Sequence, residues 1–305
     1  MCRTPSPVAA IMNPVAGPVA SRAGRAEAAA LLERVCAAAS LSCEVAFTER
    51  AGHAGELATG FRGRGFSPII AWGGDGTVNE VGSALAFQDS VLGIVPAGSG
   101  NGLARELGLS LDAPHAVETA VRGVDRTIDV GELGGHLFLN LAGIGLDASV
   151  AFAFSQLEGR GLRRYVRATL STVFGYTPQV YRLRNETEPD IFNGRALMVE
   201  LANGTQFGNG ATIAPRARLD DGLFDVVIVA PRGACRALWG ARRLFTGTID
   251  RDPGVHTTTV RRVTIDAPHP MRFHVDGEVV EGGTSLDAVL HPGALRVRTP
   301  ASAGA

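Results

Sequence analysis

A single aspartate stands among glycines in the segment GGDGT, which covers residues 73–77 and directly follows an apolar run. Glycine has no Cβ and tolerates positive φ, so backbone N–H groups in such a turn can approach a phosphate closely. Asp75 alone would repel that phosphate, whereas a bridging Mg²⁺ would bind both groups. The turn therefore indicates a metal–nucleotide site, and the alternative is a structural turn in which Asp75 caps the following helix.

A second glycine-rich loop, PAGSGNG at residues 96–102, precedes a short helical pattern. Gly98, Ser99 and Asn101 offer a flexible backbone, a hydroxyl and an amide, and the helix N-terminus adds further N–H donors. We expect these groups to face the same ligand as Asp75 if both loops follow strands of one sheet. Two such loops indicate nucleotide phosphates more strongly than one.

A third candidate is the segment VDGE at residues 275–278. Asp-Gly between apolar runs is a common hairpin turn, and this plain interpretation is favoured for the segment taken alone. His274 lies two residues before Asp276 and would share its face of a strand, either tuning that carboxylate or packing in the core. The acidic segment LDDGLFD at residues 219–225 is open to two interpretations, a bound ion or a solvated turn.

The composition bounds the function. The 305 residues suffice for about two domains, and a net charge of −1 gives no basic footprint for nucleic acid. All 29 basic residues are arginine, which excludes a Walker-A or Schiff-base lysine. The four cysteines fit no metal or disulfide spacing, and no signal peptide or apolar stretch of about 18 residues occurs. We therefore expect a cytoplasmic protein without a transmembrane helix.

Apolar strand patterns alternate with helical patterns over residues 1–125. This alternation predicts a Rossmann-like α/β domain with a parallel sheet that is covered on both faces, and ligands bind at the carboxyl ends of such strands. Glycine-containing loops follow the first, third and fourth strands, namely NPVAG at residues 13–17, GGDGT at 73–77 and PAGSGNG at 96–102. The predicted strands are 8–13, 43–47, 68–72 and 91–95, and the predicted helices are 22–39, 55–61, 77–87, 103–107 and 116–121.

Strand patterns follow one another after about residue 125, which predicts a mainly antiparallel β-sandwich domain. The segment ELGGHL is a hairpin signal with Gly134 and Gly135 as its turn. The predicted strands are 126–133, 136–141, 180–184, 196–201, 224–229, 260–265, 271–275 and 295–297, and helices are predicted at 162–174 and 234–245.

Five segments, taken in order, resemble the catalytic domain of the diacylglycerol kinase and sphingosine kinase superfamily, especially its bacterial soluble lipid kinases. They are GGDGTVNEV, PAGSGNGLARELGL, FLNLAGIGLDASV, ELANGTQFGNGATIAPRARLDDGLFDV and FHVDGEVV. The glycine–aspartate turn also occurs in NAD kinases, so the ordered set carries the resemblance, which spans residues 13–295. It implies a nucleotide domain over residues 1–125, a lipid-substrate domain over 126–289, and return of residues 290–305 to the first domain.

The resemblance also implies roles for single residues. Asp276 matches a proposed general base, Glu278 matches a glutamate linked to nucleotide and metal, and Asp75 is the third catalytic position. Asp221 matches the ligand of a structural Mg²⁺, together with the carbonyl groups of Arg218 and Leu223. The implied nucleotide-binding residues are Asn13, Thr48, Gly73, Gly74, Asp75, Gly76, Thr77, Gly98, Ser99, Asn101 and Glu278.

Three positions depart from the family pattern. Ala16 stands where the first loop usually has serine, Pro18 replaces a basic residue, and Gly102 replaces an aspartate of many bacterial members. The resulting GSGN form is closer to that of sphingosine kinases, which leaves the lipid substrate open.

The predicted reaction is ATP- and Mg²⁺-dependent phosphorylation of a membrane-lipid hydroxyl, with diacylglycerol as the first candidate. The alternatives are a sphingoid base or another lipid, NAD, and a non-catalytic binding protein. We expect peripheral contact with the inner membrane face, no nucleic-acid partner and, from bacterial relatives, a homodimer. Arg160, Arg163, Arg164 and Arg167 lie among apolar residues and suit an anionic membrane surface, although an ordinary surface helix explains the same pattern.

Overall fold

The computed structural model describes residues 6–155, 172, 175–232, 240 and 242–301. These residues belong to two compact units. The N-terminal unit comprises Met1–Val130 and Gly293–Ala305, and the β-rich unit comprises Gly131–Pro292. The boundaries fall within two long strands, β5 (Val124–Leu133) and β16 (Ser285–Thr299).

The N-terminal unit is built on a parallel sheet in the order β2-β1-β3-β4, to which the end of β16 adds in parallel beside β4. Strands β1 and β3 are buried along their whole length, as expected for central parallel strands covered on both faces. The elements are β1 (Val8–Met12), β2 (Cys43–Phe47), β3 (Ile69–Gly73), β4 (Val91–Pro96), α1 (Arg22–Ala38), α2 (His53–Gly63), α3 (Asp75–Leu85), α4 (Gly102–Glu106) and α5 (Ala113–Arg122).

Apolar stripes on the helices cover this sheet. Leu32 and Cys36 of α1 and Val117 of α5 pack with Trp72 of β3 in one buried cluster. Helix α1 begins after Ser21, whose hydroxyl oxygen accepts a hydrogen bond from the Gly24 N–H at 2.9 Å. The carboxyl ends of β1, β3 and β4 all lie at one edge, because these strands are parallel neighbours.

The β-rich unit contains a six-stranded antiparallel sheet in the order β12-β11-β10-β7-β14-β15. A second group of strands pairs β9 with β8, β8 with β13, and β13 with the first part of β16. The elements are β6 (His136–Phe138), β7 (Leu141–Gly145), α6 (Leu146–Ser155), β8 (Gln179–Arg184), β9 (Phe192–Ala196), β10 (Met198–Ala202), β11 (Phe224–Val229), β12 (Val255–Val260), β13 (Arg262–Asp266), β14 (Arg272–Val275) and β15 (Glu278–Glu281).

One apolar core joins the strands of this unit. Phe138 and Phe224 stack with ring centroids 5.6 Å apart, and Phe273 is buried in the same cluster. The predicted fold class, an α/β unit with a mainly antiparallel sandwich, is confirmed. The ELGGHL hairpin is also confirmed: β5 pairs with β6 around Gly134 and Gly135, whose φ angles are +55° and +85°.

Several strand boundaries differ from the predictions. Residues 136–141 do not form one strand, because the backbone N–H groups of Leu139 and Asn140 bond to the Asp276 carboxylate instead of a neighbouring strand. Each of the predicted strands 196–201 and 260–265 covers the last residue of one observed strand and most of the next strand. The final strand is far longer than the predicted residues 295–297.

The predicted helix at residues 162–174, most of that at 234–245, and the four arginines proposed for membrane contact lie outside the described residues. Within the described chain, no helix is long and apolar enough to cross a membrane.

Candidate active site

Three loops of the N-terminal unit meet beyond the carboxyl ends of β1, β3 and β4. Asn13 follows β1, and its Nδ2 donates a hydrogen bond to Thr77 Oγ1 at 3.2 Å. Asn13 Oδ1 in turn accepts from the Val15 N–H at 3.1 Å, which holds the first loop in a tight turn. Two predicted nucleotide-binding residues that lie 64 positions apart are thus brought into contact.

Close packing requires glycine at two positions of these loops, Gly73 and Gly98. A Cβ at Gly73 would lie 2.5 Å from Thr77 Oγ1, and a Cβ at Gly98 would lie 2.6 Å from Gly74 Cα. Gly76 is different, since a Cβ there would meet no atom within 4 Å among the described residues. Space beside an exposed glycine backbone fits a phosphate that approaches the loop from outside.

Asp75 joins the two glycine loops. Its two carboxylate oxygens accept hydrogen bonds from the N–H groups of Asn101 and Gly102 at 2.8 and 2.7 Å, at the start of α4. Helix α3 begins at Asp75, after Gly74 as its N-cap, and the cap makes no side-chain hydrogen bond. The alternative in which Asp75 caps its own helix is therefore wrong.

These bonds give Asp75 a role that needs no metal, because two backbone dipoles already stabilise its charge. Carboxylate oxygens are among the ligands that Mg²⁺ prefers, so the residue type also fits a cation. Asn101 has φ +52°, and its side chain accepts from the Gly98 N–H and donates to the Gly98 carbonyl, both at 2.9 Å. Asn101 thus shapes the loop from within.

The remaining predicted residues of this unit lie around the loops. Thr48 follows β2, and its backbone N–H bonds to the Met12 carbonyl at 3.0 Å. Ser99 is exposed. Glu80 of α3 was not predicted: its carboxylate accepts from the N–H groups of Gly52 and Ala54 at 2.9 Å, which caps α2. Because α2 lacks a capping side chain of its own, its open N-terminus was the signal for such a partner.

Asp276 lies at the first turn position of the hairpin between β14 and β15, with φ +47°, followed by Gly277 at φ +88°. Its carboxylate accepts three backbone N–H groups, from Leu139 at 2.8 Å and from Asn140 and Leu141 at 3.0 Å. The hairpin interpretation is therefore confirmed, and the turn also presents an oriented carboxylate. Glu278 begins β15 and is exposed.

The segment around Asp221 stays a predicted metal site. The exposed Asp221 carboxylate accepts a hydrogen bond from the Leu223 N–H at 3.0 Å, and Arg218 lies 3.6 Å from Asp220. Burial, and then the charge of Asp221, raise the pKa of Asp225 to about 6. Carboxylate oxygens are ligands that Mg²⁺ prefers, so the residue types around Asp221 fit a cation.

A buried cluster in the β-rich unit was missed as a group. His274 Nε2 lies 2.5 Å from Asp147 Oδ2 and 3.7 Å from Glu200 Oε2. Glu200 is fully buried, and neither of its carboxylate oxygens has a hydrogen-bond partner among the described residues. Each residue is of a type that ligates metals, and their candidate atoms lie within 4.8 Å of one another.

The charges of this cluster depend on one another. Burial, and then the Asp147 charge, raise the pKa of Glu200 well above its usual range. Burial opposes a charged His274, but the Asp147 carboxylate outweighs it and raises the pKa of His274 to about 10. The Gly277 N–H faces His274 Nδ1 at 3.3 Å, which would favour a neutral ring. That contact is long, and the charge of the adjacent Asp147 carboxylate keeps the pKa of the ring raised.

A cavity of about 560 Å³ in the β-rich unit lies elsewhere. It is lined by the β5–β6 turn and by residues from Val280 to Val289, with Phe273 at one side. None of the predicted site residues lines it, so it is not the candidate active site.

Comparison with known proteins shows the family to which the chain belongs. Residues 7–133 match the diacylglycerol kinase catalytic domain, and residues 140–299 match the YegS C-terminal NAD kinase beta sandwich-like domain. The chain belongs to the diacylglycerol kinase and YegS family. The enzyme is therefore a lipid kinase, and NAD kinase and a non-catalytic protein are not supported as alternatives.

Two relatives illustrate the relationship. This lipid kinase is 32% identical over 266 residues to a "Probable lipid kinase YegS-like" of Pseudomonas syringae pv. tomato, covering 85% of this chain and 84% of the relative. It is 30% identical over 220 residues to a "Diacylglycerol kinase" of Bacillus subtilis, covering 70% and 72%. A diacylglycerol kinase crystal structure from Bacillus anthracis shares the fold, with a TM-score of 0.74, 19% identity and 98% of each chain covered.

Proposed function

We propose that this lipid kinase transfers the γ-phosphoryl group of Mg²⁺-ATP to the hydroxyl of diacylglycerol, which produces phosphatidic acid and ADP. The observation that carries the proposal is the joined pair of glycine loops, in which Asp75 bonds to the N-terminus of α4 at 2.7–2.8 Å. The acceptor is supported by the Bacillus subtilis relative, which is named a diacylglycerol kinase.

Backbone N–H groups of the loops, with Ser99 and Asn13 at their rim, hold the nucleotide phosphates in this proposal. Phosphoryl transfer depends mainly on positioning and on neutralising the phosphate charge. Because the chain has no lysine, the phosphate charge must be neutralised by backbone N–H dipoles, Mg²⁺ and arginine. Arg105 of α4 is suited to this task, since its Nε donates to the Gly100 carbonyl at 3.1 Å and keeps the guanidinium beside the loop.

Asp276 acts as the general base in this proposal. It accepts the proton of the lipid hydroxyl while that oxygen bonds to the γ-phosphorus, and the bond from the γ-phosphorus to the departing ADP oxygen breaks. The three backbone hydrogen bonds fix the direction of the carboxylate, which a general base requires. Glu278, two residues further on, is proposed to contact the nucleotide or its metal.

The experiment is a lipid kinase assay with Mg²⁺ and γ-labelled ATP. Diacylglycerol, a sphingoid base, a polyprenol and NAD are offered separately, with the lipids in detergent micelles. Label in phosphatidic acid alone supports the proposal. A sphingoid base is the second candidate acceptor, because Gly102 and the GSGN form resemble the loop of sphingosine kinases. Label in the sphingoid base alone would identify that lipid, rather than diacylglycerol, as the substrate.

An enzyme that phosphorylates a bilayer lipid must reach that lipid at the membrane surface. The proposal therefore includes peripheral contact of the protein with the inner face of the membrane. Sedimentation with anionic phosphatidylglycerol vesicles tests this contact, and neutral vesicles provide the control. The homodimer stays a prediction from the resemblance, which analytical ultracentrifugation tests directly.

A further inference from the structure

Gly143 lies at the centre of a row across three antiparallel strands of the β-rich unit. His274 of β14 and Glu200 of β10 both pair with Gly143 of β7, from opposite sides. Side chains of directly paired residues project from the same face of a sheet. Because the central residue has no side chain, His274 and Glu200 approach each other above it.

Asp147, in the first turn of α6, fills the remaining space above Gly143. A Cβ at Gly143 would lie 2.5 Å from both Glu200 oxygens and would also collide with Asp147 Oδ2. Candidate ligand atoms of Asp147 and Glu200 lie within 4.8 Å of each other, and neither Glu200 oxygen has a hydrogen-bond partner among the described residues. Two ionised carboxylates cannot donate to one another, so a stable contact requires a proton or a cation between them.

The distances favour a proton. A nitrogen and an oxygen that bind one tetrahedral metal ion at 2.0–2.2 Å lie about 3.3 Å apart. The 2.5 Å separation of His274 Nε2 and Asp147 Oδ2 is shorter than that and is a direct hydrogen bond between the two side chains. The carboxylate oxygens of the fully buried Glu200 have no hydrogen-bond partner among the described residues. A protonated Glu200 would gain a partner, because its own O–H group could donate a hydrogen bond to Asp147.

We propose that Asp147, Glu200 and His274 form a proton-sharing triad, in which protonated Glu200 and the His274 ring both donate to the Asp147 carboxylate and so position Asp276. The three are positioning residues and do not touch the substrate. The role of Asp276 rests on the proposed function, whereas the protonation of Glu200 does not.

The link to Asp276 runs through two neighbouring strands. His274 is two residues before Asp276 on β14, and β7 carries both Gly143 and the Leu141 N–H that binds the Asp276 carboxylate. The triad therefore ties β14, β7, β10 and α6 together directly beside the turn. Loss of one donor would let β14 shift against β7 and misorient the carboxylate.

Few other titratable groups face the triad from the described elements. The Tyr176 hydroxyl lies 3.4 Å from that of Tyr181 on β8, and burial raises the pKa of both phenols. On β14 and β15, Arg272 pairs with Glu281 at 2.6 Å. Both phenols are uncharged at neutral pH, so the charge of the triad changes with the protonation of its own members, Glu200 and His274.

The test compares Glu200→Gln with Glu200→Leu, and Glu281→Gln serves as control because it removes an exposed carboxylate from the adjoining hairpin. Infrared spectra in D₂O at neutral pH should show a carboxylic-acid C=O band in the wild type and in Glu281→Gln, but not in Glu200→Gln. Glutamine donates to Asp147 as protonated glutamate does, so Glu200→Gln should keep kcat. Glu200→Leu should lower kcat about 10- to 100-fold with an unchanged KM for ATP, because it misplaces a catalytic group.

The pH profile adds a readout that a merely structural role would not move. Wild-type kcat should begin to fall at a lower pH than the kcat of Glu200→Gln, because only the wild type can lose the Glu200 proton beside Asp147, whereas both proteins keep the titrating ring of His274. Three results would each overturn the triad: no wild-type C=O band, equal loss of kcat in both Glu200 variants, or one bound metal ion per chain that Glu200→Gln removes. If wild-type enzyme phosphorylates no lipid, the proposed function fails while the infrared result still decides the triad.

Discussion

Asp276 combines a left-handed backbone conformation with a carboxylate held by three N–H groups. Aspartate is among the few residues other than glycine that adopt positive φ readily, and Asp-Gly suits this type of hairpin turn. The turn alone explains why the residue can be there. The three bonds from a segment 135–137 positions away show what else it does, since they aim the side chain.

Asp276→Asn tests the general base at the scale of one residue. The amide keeps the shape of the side chain but cannot accept the hydroxyl proton, so kcat should fall roughly 10²- to 10⁴-fold with the KM for ATP little changed. Steady-state kinetics with diacylglycerol and ATP measure both constants. Asp190→Asn, an exposed acid elsewhere in the β-rich unit, should behave as wild type. Near-normal turnover of Asp276→Asn would remove the base from the mechanism.

The glycine loops form a second level of organisation, that of elements. Asp75 opens α3 and bonds to the first N–H groups of α4, so the two helix starts are tied to each other next to the ends of β3 and β4. The close approach of Gly74 and Gly98 makes this bond geometrically feasible.

Gly98→Ala and Gly76→Ala form a matched pair at this level. Alanine at position 98 would collide with Gly74 Cα at 2.6 Å, so it should separate the loops and lower both stability and ATP affinity. Alanine at position 76 meets no described neighbour, so it should leave the melting temperature intact and weaken ATP binding only. Calorimetry measures both properties. Normal ATP affinity in Gly76→Ala would show that the ATP phosphates do not bind beside Gly76.

The triad that joins β14, β7, β10 and α6 makes stability depend on pH. The folded-state pKa of His274 is raised from 6.5 to about 10, so its contribution is present in full below pH 6.5 and is lost as the pH rises towards 10. The raised pKa of Glu200 acts in the same direction. The free energy of unfolding should therefore fall as the pH rises through this window.

Urea unfolding at pH 6.5, 8 and 10 measures this decline. His274→Gln should flatten it, because glutamine can still donate to Asp147 but does not titrate, and Glu281→Gln should not. A wild-type free energy of unfolding that rises over this range would show that His274 has no raised pKa.

At the scale of the whole molecule, the chain leaves the N-terminal unit at residue 130 and returns to it at residue 293. The returning part of β16 pairs with β4, buries Leu295 and Val297 completely, and joins Asp125 through Arg296 and Arg298, both at 2.6 Å. The fold of the N-terminal unit is therefore completed by the last strand of the chain.

Leu295→Ala tests this dependence. The substitution leaves a cavity at a buried position, which should lower the free energy of unfolding by about 2–5 kcal/mol. The control is Leu111→Ala, at a leucine of the same unit that is 46% exposed, and it should change the free energy of unfolding by less than about 0.5 kcal/mol. Hydrogen exchange should show the loss of protection in β3 and β4. Loss confined to the β-rich unit would contradict this completion of the fold.

Periodicity and turn chemistry were sufficient to predict the two kinds of sheet, the glycine loops at strand ends and the Gly134-Gly135 hairpin. Such features are local, because burial on one or both faces and positive φ leave their marks on neighbouring residues. The boundaries that failed, such as the break after Phe138, are those where a distant side chain takes the backbone hydrogen bonds.

Partners remote in sequence emerged only from the folded chain. Asp75 lies 26 and 27 positions from the N–H groups it binds, and His274 lies 127 positions from Asp147. Strand order and register bring such groups together, and both depend on packing across the whole core rather than on local propensity. Motif and composition therefore identify the candidate chemical groups of this kinase, while register determines which of them come into contact.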